Sequence, residues 1–385
     1  VNEGYEIAKD KFLQFKQESN KVVSYLVKEF ELRKNADQLK RASISKTGEL
    51  NLNKIFSYKF SEDIFKKITV VPGGKSHGLI MYLDWSGSMA GHLGNTVKQL
   101  FNLAMFCRKV NIPFEVYAFI QDTETEKMYQ PTPKVGDVQI DKMCLLNILS
   151  SRMSAAEFMT AGGALFQMSG LGSYRWAGQT CPDWMRLGGT PLNEALVWVY
   201  NTIGDYIKNN RIEKMNFITL SDGAGGSMQA TGGIHRYGKI KHLVRDPVTK
   251  KTYPFAYDAN LQTETLLKMI KDRYNVRTIG FYICANRRRS LECAIRDNIY
   301  EYKGNYSLTI DEMRKAFRND GFYSMRGTGR DDLFIVPADK TVIDEGELKV
   351  ESDMSARKLA TNLGKFLNTK KTSRVLLSRF IGYVA

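Results

Sequence analysis

The chain has 385 residues, 43% of them hydrophobic and 25% charged. That length can bury a large core and could hold two or three domains, and that composition excludes an intrinsically disordered chain. With 56 Lys and Arg against 41 Asp and Glu the formal net charge is +15, which favours an acidic partner such as nucleic acid, an acidic protein surface or an anionic membrane. The plain alternative is a generally basic surface, because the charge is spread along the whole chain.

Residues 1 to about 50 are rich in Lys, Glu, Gln and Leu, and Phe12, Phe15, Val22, Val23, Leu26, Val27 and Phe30 recur at helical spacing. This predicts a helical arm whose aromatic stripe is a packing face. Lys46-Thr-Gly48 breaks the pattern, and Leu50 to Phe65 reads as a short docking segment. Pro72-Gly-Gly-Lys-Ser76 contains Gly-Lys-Ser but has Thr69 where a phosphate-binding loop needs its first glycine, and a strand rather than a helix follows, so ATP binding there is rejected.

Gly78 to Leu83 is a short apolar run of the kind that forms a buried strand, and it ends in Asp84-Trp-Ser86-Gly-Ser88. The strand therefore delivers a carboxylate and two hydroxyls onto one loop at its carboxyl end, the edge at which open α/β sheets bind ligands. Carboxylate and hydroxyl oxygens are hard ligands suited to Mg²⁺ or Mn²⁺. Alone, this spacing also fits any acidic turn rich in serine.

An amphipathic helix is expected over Leu93–Val110 and a second strand over Phe114–Ile120, which makes a parallel crossover. A polar loop over 121–142 precedes an edge strand at Met143–Leu149 and a helix capped by Ser154 and running to about Met168. Gly170 to Gly189 reads as a long loop holding Tyr174, Arg175, Trp176, Cys181, Trp184 and Arg186, a wall of the Asp84 site or a structural insertion. It leads into Leu187-Gly-Gly-Thr190-Pro191, with Pro191 in the first turn of the next helix.

Met215 to Leu220 is a further strand, ending in Ser221-Asp222-Gly223. Lys239–Leu243 and Thr252–Phe255 read as a hairpin around Asp246-Pro-Val-Thr-Lys250. Then come a helix at Leu261–Tyr274, a buried strand at Val276–Cys284, a basic cluster at Arg287–Arg289 read as a solvated face, a helix at Ile310–Phe317, the flexible basic loop Arg326–Arg330 and a last strand at Leu333–Val336. Apolar residues beyond Asp353 suggest one or two closing helices.

The four histidines, His77, His92, His235 and His242, make no zinc motif. The five scattered cysteines form no C-x-x-C and read as reduced thiols of a cytoplasmic protein. No run of eighteen apolar residues predicts a membrane span, and the charged N-terminus lacks a signal-peptide core. Val1 is not an initiator methionine, which fits a processed or truncated product.

The Asp84-x-Ser86-x-Ser88 loop, the Gly-Gly-Thr190 loop and the strand ending in Asp222 together resemble the metal-ion-dependent adhesion site of von Willebrand factor A domains. The resemblance implies one divalent cation, Mg²⁺ or Mn²⁺, held by Asp84, Ser86, Ser88, Thr190 and Asp222. It also implies the fold that the strand and helix alternation gives: a doubly wound, mostly parallel α/β sheet with helices on both faces, over residues 73–337, with insertions at about 121–189 and 223–257. A helical arm and docking segment (1–72) and a helical extension (338–385) flank it.

More narrowly, Leu187–Leu196, Lys46-Thr-Gly48, Asp63-Ile-Phe65 and Ser373–Ser378 make the chain similar to CobT-like, cobaltochelatase-subunit-like proteins of large tailed phages. That similarity implies a MoxR/CobS-type AAA+ ATPase as partner and, for a phage protein, the host cytoplasm. Chelatase subunits carry a long acidic N-terminal region with no counterpart here, which weighs against cobalt insertion.

The expected function is a metal-dependent adaptor or co-subunit that grips an acidic residue of the ATPase or its client. The alternatives are a chelatase subunit or peptidase, and a basic nucleic-acid-associated protein. Against a peptidase, no zinc motif, G-x-S-x-G elbow or local Cys–His signature is present, and Ser86 and Ser88 have no evident histidine base.

Overall fold

The computed structural model describes residues 2–41, 43–45, 59, 68–70, 76–121, 137–140, 143–170, 181–182, 185–230, 242–299, 302–325 and 329–338. Most of the docking segment, Pro72–Lys75, most of the wall at 170–189, His235, Arg326–Thr328 and the closing helices beyond 338 lie outside them.

The organising layer is a seven-stranded sheet. In chain order its strands are β3 (His77–Asp84), β4 (Phe114–Gln121), β6 (Met143–Ser150), β7 (Lys214–Ser221), β11 (Arg277–Cys284), β12 (Tyr323–Met325) and β13 (Asp332–Pro337). In space they run β12-β13-β11-β7-β3-β4-β6. The five inner strands are parallel, and β6 and β12 close the two edges antiparallel. The segment at 121–189 thus supplies an edge strand of the sheet itself.

Helices cover both faces, so the inner strands are apolar on both sides. On one face Leu79, Met81 and Leu83 of β3 meet α2 (Leu93–Lys109) and α3 (Ala155–Met168), with α1 (Asn2–Arg41) outside them. On the other, Ile80 and Tyr82 pack with α4 (Leu192–Asn209) and α5 (Ala259–Tyr274). A third cluster seats α6 (Arg288–Arg296) and α7 (Tyr306–Asn319) on Tyr282, Leu333 and Ile335.

The expected aromatic stripe of the arm is a packing face: Phe12, Phe15, Val23, Leu26 and Phe30 are buried. Phe12 contacts the rings of Phe101 and Phe166 edge-on, with centroids 5.2 and 5.1 Å away. Gly162 makes the notch for it, since a Cβ there would lie 2.5 Å from Phe12 Cζ.

Local chemistry sets the helix starts. Ser154 and Glu157 form a reciprocal capping box at α3. Asp258 caps α5, whose end is marked by Asn275 at φ 52°. Pro191 stands one residue earlier than expected, at the cap of α4 rather than in its first turn.

The hairpin strands are β9 (His242–Arg245) and β10 (Thr252–Phe255). The first runs past the expected end at Leu243 because Asp246 Oδ1 accepts the N–H groups of Val248 and Thr249 at 2.7 and 3.1 Å, fixing the turn directly after Arg245, and its expected start at 239–241 lies outside the described residues. Short ribbons pair β1 (Ser43–Ser45) with β2 (Ile68–Val70) and β5 (Val138–Gln139) with β8 (Gln229–Ala230). All five cysteines are free thiols. Among the described residues no helix is long and apolar enough to cross a membrane.

Candidate functional site

From β3 the chain crosses to β4 on one side, while β7 lies on the other. The carboxyl ends of β3 and β7 therefore flank the switch point of the sheet, where open α/β sheets leave a crevice. Asp84 ends β3, and Asp222 follows the last residue of β7. The loops between and beside them carry the other residues singled out in the sequence.

Asp84 is fully buried and Ser86 nearly so, whereas Ser88 is exposed and Thr190 and Asp222 are half-buried. Short contacts join three of the five to one another and hold a fourth, Asp84, beside them through Ser221. Ser221 Oγ donates to Asp84 Oδ2 at 2.6 Å. Ser86 Oγ and Ser88 Oγ lie 3.0 Å apart, and Ser88 Oγ donates to Asp222 Oδ1 at 2.7 Å.

Thr190 comes to the same place through its backbone. Ser86 pairs with Gly188, Gly87 N–H donates to Gly188 O at 2.8 Å, and Thr190 O accepts from Gly226 N–H at 3.1 Å, beyond Asp222. The Gly188-Gly189 pair is required for this approach. A Cβ on Gly188 would lie 2.9 Å from Gln121 O, and one on Gly189 would fall onto Gln121 Oε1, which instead accepts the Gly189 N–H at 3.0 Å.

The electrostatics are unbalanced. Asp84 Oδ1 is buried with no hydrogen-bond partner. Burial pushes the Asp84 carboxyl up to about 7 against the lowering effect of the Ser221 hydrogen bond and of the neighbouring Ser86, and the nearby Asp222 adds to the rise. Asp222 is also raised, by burial first, with Ser88 and His92 opposing. Neither carboxylate has a Lys or Arg bonded to it among the described residues. A buried carboxylate oxygen with no partner, beside a second carboxylate and three hydroxyls, is a donor set that a small hard cation fits. Among the described residues no group of three or more His, Cys, Asp and Glu side chains gathers to hold a metal; this cluster has two carboxylates, and the side-chain oxygens shown in contact with them and with each other are the hydroxyls of Ser86, Ser88 and Ser221.

Several supporting residues carry no motif signal. Trp85, wholly buried, donates its indole N–H to Met185 O at 3.0 Å and so ties the threonine loop to β3. Asn193 Nδ2 donates to Gly226 O at 2.9 Å, and Asn193 Oδ1 accepts from Thr263 Oγ1 at 2.6 Å. Gln262 bonds both the N–H and the carbonyl of Met228. Ser221 and Gln121 had one readable signal, a polar residue closing an apolar strand at the edge that carries Asp84.

No family model matches the chain, and no curated protein matches it. Solved structures do. The open form of the pilus adhesin SpaC from Lactobacillus rhamnosus GG is similar at 13% identity and TM-score 0.34, over 63% of this chain and 30% of that one. The PilB minor pilin from Streptococcus sanguinis is similar at 10% identity and TM-score 0.31, over 64% of this chain and 62% of that one. The vWF domain of the type V pili tip protein Mfa5 from Porphyromonas gingivalis is similar at 9% identity and TM-score 0.28, over 81% and 95%. The chain thus spans under a third of SpaC and under two thirds of PilB. Identities and TM-scores this low bear on neither function nor partner. By its own strand order the chain is a doubly wound, mostly parallel α/β domain with helices on both faces.

Proposed function

We propose that the chain is a divalent-cation-dependent protein-binding module that holds Mg²⁺ or Mn²⁺ through Asp84, Ser86, Ser88, Thr190 and Asp222. The observation that supports this most is the buried, partnerless Asp84 Oδ1 at the sheet's switch point. A buried carboxylate without a counter-charge is costly, and a site that keeps one has a use for it. Two carboxylates with three hydroxyls favour a hard ion over zinc. When bound, the ion supplies positive charge and a preference for further oxygen ligands.

The chain's own residues divide the work. Asp84 anchors from the buried side, with Ser221 fixing one of its oxygens. Ser88 and Asp222 stand on the solvent side, where an acidic residue of a partner is received. Gly188 to Thr190 forms the lateral wall. The partner follows from the sequence resemblance: a MoxR/CobS-type AAA+ ATPase or its acidic client, with this chain as cytoplasmic adaptor or co-subunit and no catalysis of its own.

Calorimetry on the metal-stripped full chain tests the site. MgCl₂ should bind once, and Asp84→Ala should abolish binding while far-UV circular dichroism is unchanged. Undiminished binding in that variant refutes the assignment. Capture of an AAA+ ATPase that is equal with and without EDTA refutes the metal-dependent contact.

A further inference from the structure

On the opposite side of the sheet from α4, helix α1 lies over α2 and α3. The three helices leave a pocket of about 180 Å³ between them, open to solvent on one side. Its walls are Phe101, Met105, Phe158 and Met159. The Phe101 and Phe158 rings stack with centroids 4.9 Å apart, so two aromatic rings contribute to its apolar lining. Methionine adapts its shape and makes favourable contacts with aromatic rings. The volume is comparable to the ~150 Å³ apolar cavity that accepts a benzene molecule, so it has room for one six-membered ring.

The rim has a definite charge. Lys16 of α1 and Arg108 and Lys109 of α2 line it, and no carboxylate does among the described residues. The Arg108 guanidinium sits 4.7 Å over the Phe158 ring and donates to Met153 O at 2.7 Å. Lys109 Nζ donates to Ser24 Oγ at 2.7 Å. Both acceptors are neutral, so these contacts orient the two cations without compensating them. Burial lowers the Lys109 ammonium below its ordinary value, as it does for a cation beside apolar walls.

An apolar slot the size of one ring, with cations on two sides of its mouth, is complementary to an aromatic group bracketed by acidic ones. We propose that this pocket is a docking site for a partner polypeptide in which a Phe or Tyr is flanked by Asp or Glu. The ring enters the slot, and the flanking carboxylates meet Lys16 on one helix and Lys109 on the other. A polypeptide fits better than a free aromatic acid because it can present a carboxylate to each helix at once. This site is on another face from the Asp84 cluster and does not depend on a cation there.

The test uses the full chain in EDTA, so that the Asp84 cluster is silent, and a fluorescein-labelled Gly-Glu-Phe-Glu-Gly peptide read by fluorescence anisotropy. Saturable binding is expected. Replacing Phe by Ala, or both Glu by Lys, should weaken it by about tenfold or more, the loss of one buried anchor or its charge partners. Ala155 is exposed at the mouth and belongs to no core cluster, so Ala155→Trp should plug the slot with the same loss. Lys109→Glu gives a second variant that leaves the walls intact and should weaken the Glu peptide while favouring the Lys peptide. Circular dichroism and thermal melting check that each variant is folded. No saturable binding at millimolar protein, equal binding of the Ala peptide, or full affinity in folded Ala155→Trp or Lys109→Glu overturns the proposal. So does sodium benzoate binding the slot as tightly as the peptide, which would make it a site for free aromatic acids.

Discussion

Replacing Asp84 by Asn should stabilise the metal-free protein at neutral pH and destroy its response to magnesium. Asn keeps the shape and an oxygen that accepts from Ser221, but carries no charge. In the folded protein the Asp84 carboxyl is pushed up to about 7 by burial and by Asp222, from an ordinary 3.8. A folded value above the unfolded one means that the folded state holds its proton longer, so stability falls as pH rises between the two values and stays low above the folded one. Three pH units at 1.36 kcal/mol each give roughly 4 kcal/mol as an upper limit, since loop opening that admits water relieves part of it.

Urea melts of EDTA-treated wild type and Asp84→Asn should therefore coincide near pH 4 and diverge by up to a few kcal/mol at pH 8, with Asn the more stable. Millimolar MgCl₂ should raise the wild-type midpoint at pH 8, by linkage to the folded state, and leave Asp84→Asn unmoved. A difference between the two proteins that does not change with pH refutes the electrostatic reasoning. Equal magnesium stabilisation of both refutes Asp84 as a ligand.

Phe12→Ala, at a fully buried ring held by Phe101 and Phe166, should cost about 3–5 kcal/mol of α1 docking, read as faster hydrogen exchange in α1; unchanged protection would show that the stripe is not what holds the helix. Gly189→Ala should displace the threonine loop by collision with Gln121 Oε1 and weaken magnesium binding in calorimetry, and Gln121→Ala in the same chain should restore most of it. Asp246 is raised by burial but held at about 2 by the N–H groups of Val248 and Thr249 and by Tyr200. Its contribution is thus complete above the ordinary value near 4 and lost as pH falls towards 2, so an acid titration of Asp246→Asn should show a destabilisation at pH 6 that vanishes near pH 2.

The parts of this fold that were legible in the sequence are those fixed by local chemistry. β3 and β7 announce themselves as apolar runs stopped by an aspartate, and α3 by its Ser154 cap, which the structure completes with Glu157. The parts that were not legible depend on packing or on distant partners. α6 opens with Arg288 and Arg289, has no side-chain cap, and so places cations against the positive end of its own dipole. It forms because Leu291, Ala294 and Ile295 are buried against β11 and α7. The three-residue strand β12 exists only as a partner of β13. In the candidate site the five side chains could be named from spacing and resemblance. Ser221, Gln121 and Asn193 could not be assigned roles, because the partner that ties each into the site, Asp84, Gly189 and Gly226 respectively, lies between 33 and 137 residues away.

That division also explains how the cluster can hold an unbalanced carboxylate. The loops around Asp84 are fixed by bonds that use none of the five proposed ligand side chains: Trp85 to Met185, Gly189 to Gln121, Asn193 to Gly226 and Gln262 to Met228. Each contributes on the order of 1 kcal/mol net, while a buried, unsatisfied polar atom costs about 1–3 kcal/mol. The scaffold can therefore carry the deficit at Asp84 Oδ1 without rearranging to relieve it. Because the backbone does not depend on the ligand side chains, those side chains are free to respond to charge brought from outside. Ser88 and Asp222, both more exposed than Asp84, bond to each other, whereas the fully buried Asp84 keeps an oxygen unused. The solvent side of the cluster can satisfy itself, and the buried side cannot.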